Sequence, residues 1–240
     1  MSEKAVAAIV AQTTGCVSAL EVGPGPGVLT EPLCAVMQSV TAVEVDQTII
    51  PVLSEAAPTA CVIVADALKA DLSALLQDLP APRALVSNMP YNITGPLLTT
   101  FAACRDLWAV GVFMMQREVG VRVLARAGDS DRGSLSVFLQ AQFDIATVCH
   151  VPPGSFLPPP KVDSVVLRLV PALKVDLDRA PRFFEVVRRG FTQPRKTLLN
   201  NLGDRTHWGP VIASAGLSES IRPHQLTLAQ WEEVAAHAPD

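Results

Sequence analysis

Four short stretches combine residue types that can hold a flat, polar ligand, and each closes an apolar run. "EVGPGPG", Glu21 to Gly27, alternates three glycines with other residues, at 23, 25 and 27. Glycines so placed let the backbone turn tightly and let a ligand approach it closely. A dinucleotide loop would read G-x-G-x-x-G, but here the third glycine comes one residue early because position 28 is Val. The spacing suits a nucleoside cofactor without a pyrophosphate better than it suits NAD. A plain Gly/Pro turn is the alternative.

"VEVD" follows, with Glu44 and Asp46. A carboxylate at the end of a second strand can accept both hydroxyls of a ribose, and Glu44 is the candidate. Asp46, directly before Gln-Thr-Ile-Ile, reads as a helix cap. In "VADAL", Asp66 could accept the exocyclic amine of an adenine, or cap a turn. "NMPY" offers two acceptors, the Asn88 side-chain oxygen and the Met89 carbonyl. It adds Pro90, which stiffens the turn, and Tyr91, the single tyrosine of the chain. Two acceptors and a flat face describe a grip on a nucleobase amine; an Asn-capped strand-to-helix turn describes the same letters. Further on, "PPGSFLPPP" holds Phe156 in a stiff proline loop. That phenylalanine can be a second stacking face for an extruded base, or a staple between domains.

These candidates need strands to present them. Over the first 115 residues, short Val/Ile/Leu runs alternate with segments of helical spacing. Near-continuous apolar runs are strands buried on both faces. Strand–helix alternation gives a mostly parallel sheet with helices on both faces, and ligands bind at the carboxyl ends of its strands. An α/β fold of this kind places Gly23, Glu44, Asp66 and Asn88 on one edge. "DIATVCHVP" and "KVDSVVLRLVP" read as two further strands, antiparallel, closing the edge of the sheet. From residue 177 the patterns are helical: "PRFFEVVRRGF", "PRKTLLNNLG" and "LTLAQWEEVAAHA". The expected division is an α/β domain over 1–176 and a small all-helical domain over 177–240.

Composition narrows the function classes. With 49% hydrophobic and 18% charged residues, the 240-residue chain can bury a substantial core. No apolar run approaches the roughly 18–20 residues that span a bilayer, and the N-terminal segment is too short for a secretory signal. A cytoplasmic protein is expected. Five cysteines with no C-x-x-C pair argue for reduced core thiols over a disulfide framework or zinc site, so no metal is expected. Net charge is −4, yet it is uneven: residues 1–110 carry four Lys/Arg against ten Asp/Glu, and 111–240 carry fifteen against thirteen. Phosphate contacts are expected in the second half.

"EVGPGPGVLT", "VEVD", "VADA", "NMPYNI", "FMMQREVGVRVLA", "VPPGSFLPPPKVDSVVLRL" and "PRKTLLNNL" occur in this order. Together they resemble the S-adenosylmethionine-dependent ribosomal RNA adenine N6,N6-dimethyltransferases of the KsgA/RsmA type, over nearly the whole chain. The resemblance implies a class I methyltransferase (Rossmann-like) fold. It implies dimethylation of two adjacent adenosines near the 3′ end of small-subunit ribosomal RNA, in a pre-30S particle, by a monomer. It puts S-adenosyl-L-methionine against Glu21, Gly23, Gly25, Gly27, Glu44, Asp66 and Asn88. Asn88, Met89, Pro90, Tyr91 and Phe156 would hold the target adenine, and Arg117, Arg122, Lys161, Arg195 and Lys196 the RNA. Two departures stand out. Family members begin with a basic Gly-Gln-x-Phe-Leu segment, and this sequence starts after it, through truncation or loss of that lid. Pro194 and Leu199 stand where the family tends to be basic. Both departures remove positive charge, which weakens phosphate attraction. Two rivals stay in view: a large-subunit adenine methyltransferase of the antibiotic-resistance type, and, because the N-terminal segment is missing, a non-catalytic ribosome-assembly factor.

Overall fold

A computed structural model describes residues 1–157 and 159–239; Pro158 of the proline loop lies outside the described residues. The strands are β1 (Ser18–Val22), β2 (Ser39–Glu44), β3 (Cys61–Val64), β4 (Arg83–Asn88), β5 (Val110–Gln116), β6 (Phe143–Val151) and β7 (Ser164–Pro171). Helices α1 (Glu3–Ala11), α2 (Thr30–Val36), α3 (Ile50–Ala56), α4 (Leu72–Gln77) and α5 (Thr94–Ala103) alternate with the first five. The sheet order is β3-β2-β1-β4-β5-β7-β6. β1 pairs in parallel with β2 and β4, β2 with β3, and β4 with β5, whereas β7 runs antiparallel to β5.

The apolar patterning explains this order. Every residue of β1 is buried, as are the last five of β2 and the middle of β4, so these runs can only be central strands. β3 is partly exposed and takes one edge. One face of the sheet packs Ala19, Val40, Ala84, Val86, Val112 and Val166 against Ala5 and Ile9 of α1 and Leu33 of α2. The two late strands close the other edge of the sheet, as expected. β7 inserts between β5 and β6, and β6 becomes the outer strand. Gly120 permits that insertion, because a Cβ there would lie 2.3 Å from Val165 Cγ1.

The chain divides into two compact units: residues 1–120 with 144–171, and residues 121–143 with 172–240. A single cut at 176/177 therefore does not describe them, because residues 121–143 pack with the C-terminal helices. The second unit contains α7 (Ser134–Gln140), α8 (Phe183–Gly190), α9 (Leu198–Leu202), α10 (Arg205–Ser214) and α11 (Leu228–Ala235), and α6 (Arg117–Leu124) leads into it. Val137 of α7 and Ala141 just after it share one core with Phe183, Leu198, Trp208 and Trp231. On α8 the apolar positions 183, 186, 187 and 190 are buried while Arg188 and Arg189 are exposed, the spacing of an amphipathic helix.

Candidate active site

Sheet order builds the site. From β1 the chain moves outward to β2 and β3, then returns to β4 on the other side of β1. That reversal is a topological switch point, and loops leaving it diverge to leave a crevice. The loop after β1 carries the glycines, and β4 ends at Asn88. Val22 pairs with Ser87 across the two strands, and Ser87 Oγ donates to the Val22 carbonyl at 2.7 Å. The two loops then touch: a Cβ on Gly23 would lie 3.8 Å from the Asn88 carbonyl oxygen and 3.9 Å from Pro90 Cδ. Gly23, Gly25 and Gly27 all have positive φ, at 72°, 54° and 90°, where a side chain is strained. Gly25 has open space where its Cβ would be.

Two carboxylates back this loop. Glu44 Oε2 accepts from the Gly25 N–H at 3.1 Å, and Oε1 accepts from the N–H groups of Val45 and Asp46 at 2.8 and 2.9 Å. Three backbone donors thus fix the carboxylate, and Oε2 keeps a lone pair. Glu21 is 1% exposed, and its Oε2 has no hydrogen-bond partner. Burial pushes its pKa up to about 7; the nearby Thr30 hydroxyl opposes the shift and the Glu44 charge adds to it. Thr30 Oγ1 is also buried and, among the described residues, closes no hydrogen bond of good geometry, although it lies close enough to Glu21 to oppose the shift. Two orphaned polar atoms beside an open glycine loop fit a cofactor that brings a cation or a donor.

The "NMPY" turn is held from its backbone. Met89 N–H donates to the Met114 carbonyl at 3.0 Å, and the Pro90 carbonyl accepts from Ile93 N–H and Thr94 Oγ1 at 3.2 and 3.1 Å. Met89 is buried, whereas Asn88 and Tyr91 are half-buried. Among the described residues the Asn88 side chain has no hydrogen-bond partner. Tyr91 Oη lies 2.9 Å from Ser164 Oγ, the first residue of β7. Phe156 is half-buried and packs against the core cluster containing Val151 and Val166.

The other candidates fall in several places. Asp66 sits after β3, with Oδ1 accepting from Leu68 N–H at 3.0 Å and Oδ2 3.5 Å from Lys69 Nζ, so turn-capping geometry is present. Asp46 caps the next helical turn through Thr48. Arg117 and Lys161 are exposed in the first unit, Arg117 lying 3.9 Å from Asp163. Arg122, Arg195 and Lys196 are exposed in the second. Thr30 and Ser164 were not anticipated; a hydroxyl in an apolar pattern carries no signal beyond its position after the glycine loop or the proline loop. A groove of about 1040 Å³ between α1 and α2 is lined by Val6, Val10, Val28, Pro32, Val36 and Met37 among others. Its walls are mostly apolar and include none of the candidate site residues. No group of three potential metal ligands occurs among the described residues, and no helix there is long and apolar enough to cross a membrane.

Comparison with known proteins fits this geometry. The family profile described as ribosomal RNA adenine dimethylase matches residues 2–236. The chain belongs to that family. A relative from Xanthomonas oryzae pv. oryzae, named ribosomal RNA small subunit methyltransferase A, is 40% identical over 92% of this chain and 85% of its own length. One of the same name from Laribacter hongkongensis is 38% identical over 88% and 81%. Among solved structures, a dimethyladenosine transferase from Plasmodium falciparum superposes with TM-score 0.76 at 22% identity, covering 97% of this chain and 94% of that one. The 23S rRNA methyltransferase ErmE superposes with TM-score 0.73 at 25% identity, covering 99% and 98%. As a member of the dimethylase family, the chain has a Rossmann-like methyltransferase sheet followed by helices.

Proposed function

We propose that this member of the ribosomal RNA adenine dimethylase family dimethylates N6 of two adjacent adenosines near the 3′ end of small-subunit ribosomal RNA, using S-adenosyl-L-methionine. The observation that carries the reading is the contact at the switch point, where the positive-φ Gly23 meets Asn88 and Pro90. One side of that contact is an open loop backed by Glu21 and Glu44. The other is a turn with an unengaged amide.

S-adenosyl-L-methionine, when bound, supplies an electrophilic methyl group on a sulfonium. Glu44 offers its remaining lone pair to the ribose, Glu21 its partnerless oxygen to the cationic end, and Asp66 an acceptor to the adenine amine. The target N6 is a poor nucleophile because its lone pair is delocalised into the ring. Asn88 Oδ1 and the Met89 carbonyl accept its two hydrogens and favour a tetrahedral nitrogen, which frees that lone pair. Pro90 keeps the carbonyl fixed, and Tyr91, anchored at Ser164, offers the stacking face. Phe156 completes the stack. Arg117, Arg122, Lys161, Arg195 and Lys196 supply phosphate contacts, with the helical second unit an RNA-binding surface. The protein acts on a pre-30S particle in the cytoplasm as a monomer.

Incubation with radiolabelled S-adenosylmethionine and under-methylated small or large subunits tests the reading, with Asn88→Ala as control. Label is expected in the small subunit and lost with Asn88→Ala. Label confined to the large subunit supports the ErmE-like alternative. Binding without label supports an assembly factor, a role that gives the unengaged Asn88 amide nothing to do.

A further inference from the structure

Leu157 is 96% exposed, and the next most exposed large apolar residue, Val45, is at 66%. Scattered apolar residues on a surface are ordinary, but this one is presented. Phe156, beside it, packs inward against the sheet core. Its backbone is extended, with φ −121° and ψ 153°, so consecutive side chains point opposite ways. An anchored phenylalanine therefore holds the leucine outward. Ser155 N–H donates to the Pro152 carbonyl at 2.9 Å and Phe156 N–H to the Pro153 carbonyl at 3.1 Å, and prolines at 152, 153, 159 and 160 stiffen the segment.

The loop also stands at the right edge. It ends at Ser164, which pairs with Gln116 at the carboxyl end of β5 and bonds Tyr91 Oη. Lys161, exposed on the same loop, forms no ion pair among the described residues and gives an anionic backbone a place to rest. An enzyme that acts on an adenine inside structured RNA must take the base out of its stack, and the gap left behind is costly. Apolar wedges inserted beside unstacked bases lower that cost.

We propose that Leu157 is a positioning residue, a wedge that occupies the gap in the RNA stack while the target adenine sits between Tyr91 and Phe156. The inference rests on the function proposed above. Its test is steady-state methylation of under-methylated small subunits by the full chain and by Leu157→Ser and Leu157→Met. A wedge eases extrusion after binding, so Leu157→Ser should lower kcat about tenfold and leave KM within about twofold. Leu157→Met, equally apolar, should restore kcat, and both variants should melt within about 1 °C of the parent because an exposed side chain holds no core. Unchanged kcat in Leu157→Ser, a rise in KM alone, or equal losses in both variants would each overturn the wedge and leave the methyltransferase reading standing. No methylation by the unaltered protein would overturn both.

Discussion

Glycines serve opposite ends in the two units. At the β1 loop, Gly23 and Gly25 both have positive φ; a Cβ on Gly25 would meet nothing within 4 Å, and one on Gly23 would only reach ordinary van der Waals contact, 3.8 Å from the Asn88 carbonyl oxygen. At the end of α8, Gly190 has no such dihedral constraint, but a Cβ there would meet Trp231 Cη2 at 2.5 Å and Leu198 Cδ1 at 3.1 Å. Open space at Gly25 leaves room for something that is not protein. Filled space at Gly190 lets Trp231 stack on Phe191, their centroids 5.5 Å apart. Buried polar atoms divide in the same way. Glu21 Oε2 and Thr30 Oγ1 lie beside an open loop, whereas Trp231 Nε1, also without a partner, lies inside a packed helical core. A partnerless polar atom points to a ligand only where space adjoins it. Substitutions at the strand ends should therefore remove activity and spare the fold, and those at α8 should do the reverse.

Asn88→Ala breaks the comparison most sharply if it fails. Losing a preorganised acceptor at the reacting atom should lower kcat roughly 10²–10³-fold, about 3–4 kcal/mol. Because the Asn88 side chain has no hydrogen-bond partner among the described residues, the melting temperature should hardly move. A substantial fall in Tm would mean that the residue is structural.

Glu21→Gln comes next, read through pH. The folded pKa of about 7 lies above the ordinary value of 4.5. Between those values the folded state holds a proton that the unfolded state has released, so stability is greatest below pH 4.5 and declines as pH rises to 7. The difference in unfolding free energy, parent minus Glu21→Gln, should fall by up to roughly 3 kcal/mol from pH 4.5 to pH 8. Denaturant titrations at four pH values measure it. A flat difference would mean that Glu21 is not held in its neutral form.

Gly190→Ala tests the other side. Overpacking against Trp231 should cost about 1–3 kcal/mol, offset in part by helix propensity worth about 1 kcal/mol. The melting temperature should drop, while methyl transfer per folded molecule at low temperature stays near that of the parent. Gly25→Ala should lose cofactor binding at a stability cost of roughly 1–2 kcal/mol from its left-handed backbone.

Legibility in the sequence followed the same division. β1, β2, β4 and β5 were readable because strands buried on both faces must be apolar throughout, and the candidate ligand residues were readable because polar types ended those runs. What depends on packing was not. α10 hid behind Gly209 and Pro210, which break helical expectation, although the structure carries Pro210 inside that helix. α7 shows an apolar stripe, but nothing in its letters says that Val137 meets the core of Phe183 and Trp231 rather than the sheet. The insertion of β7 beside β5 required Gly120 to admit Val165, a contact across 45 residues of chain.

The smallest effect is also the most discriminating within the site. Tyr91 carries two properties, a ring and a hydroxyl, and the ring alone is asked to stack. Its hydroxyl, 2.9 Å from Ser164 Oγ, ties the "NMPY" turn to β7 and so to the loop that bears Phe156. Tyr91→Phe keeps the ring and removes one hydrogen bond, worth about 1 kcal/mol. If the bond only holds the turn, stability should fall by that amount and kcat by no more than about fivefold, while Tyr91→Ala removes the stacking face as well. Ser164→Ala should match Tyr91→Phe, and the double variant should add little, because both remove the same bond. Independent, additive losses would show that Tyr91 and Ser164 act separately, and that the two halves of the base grip are not braced against each other.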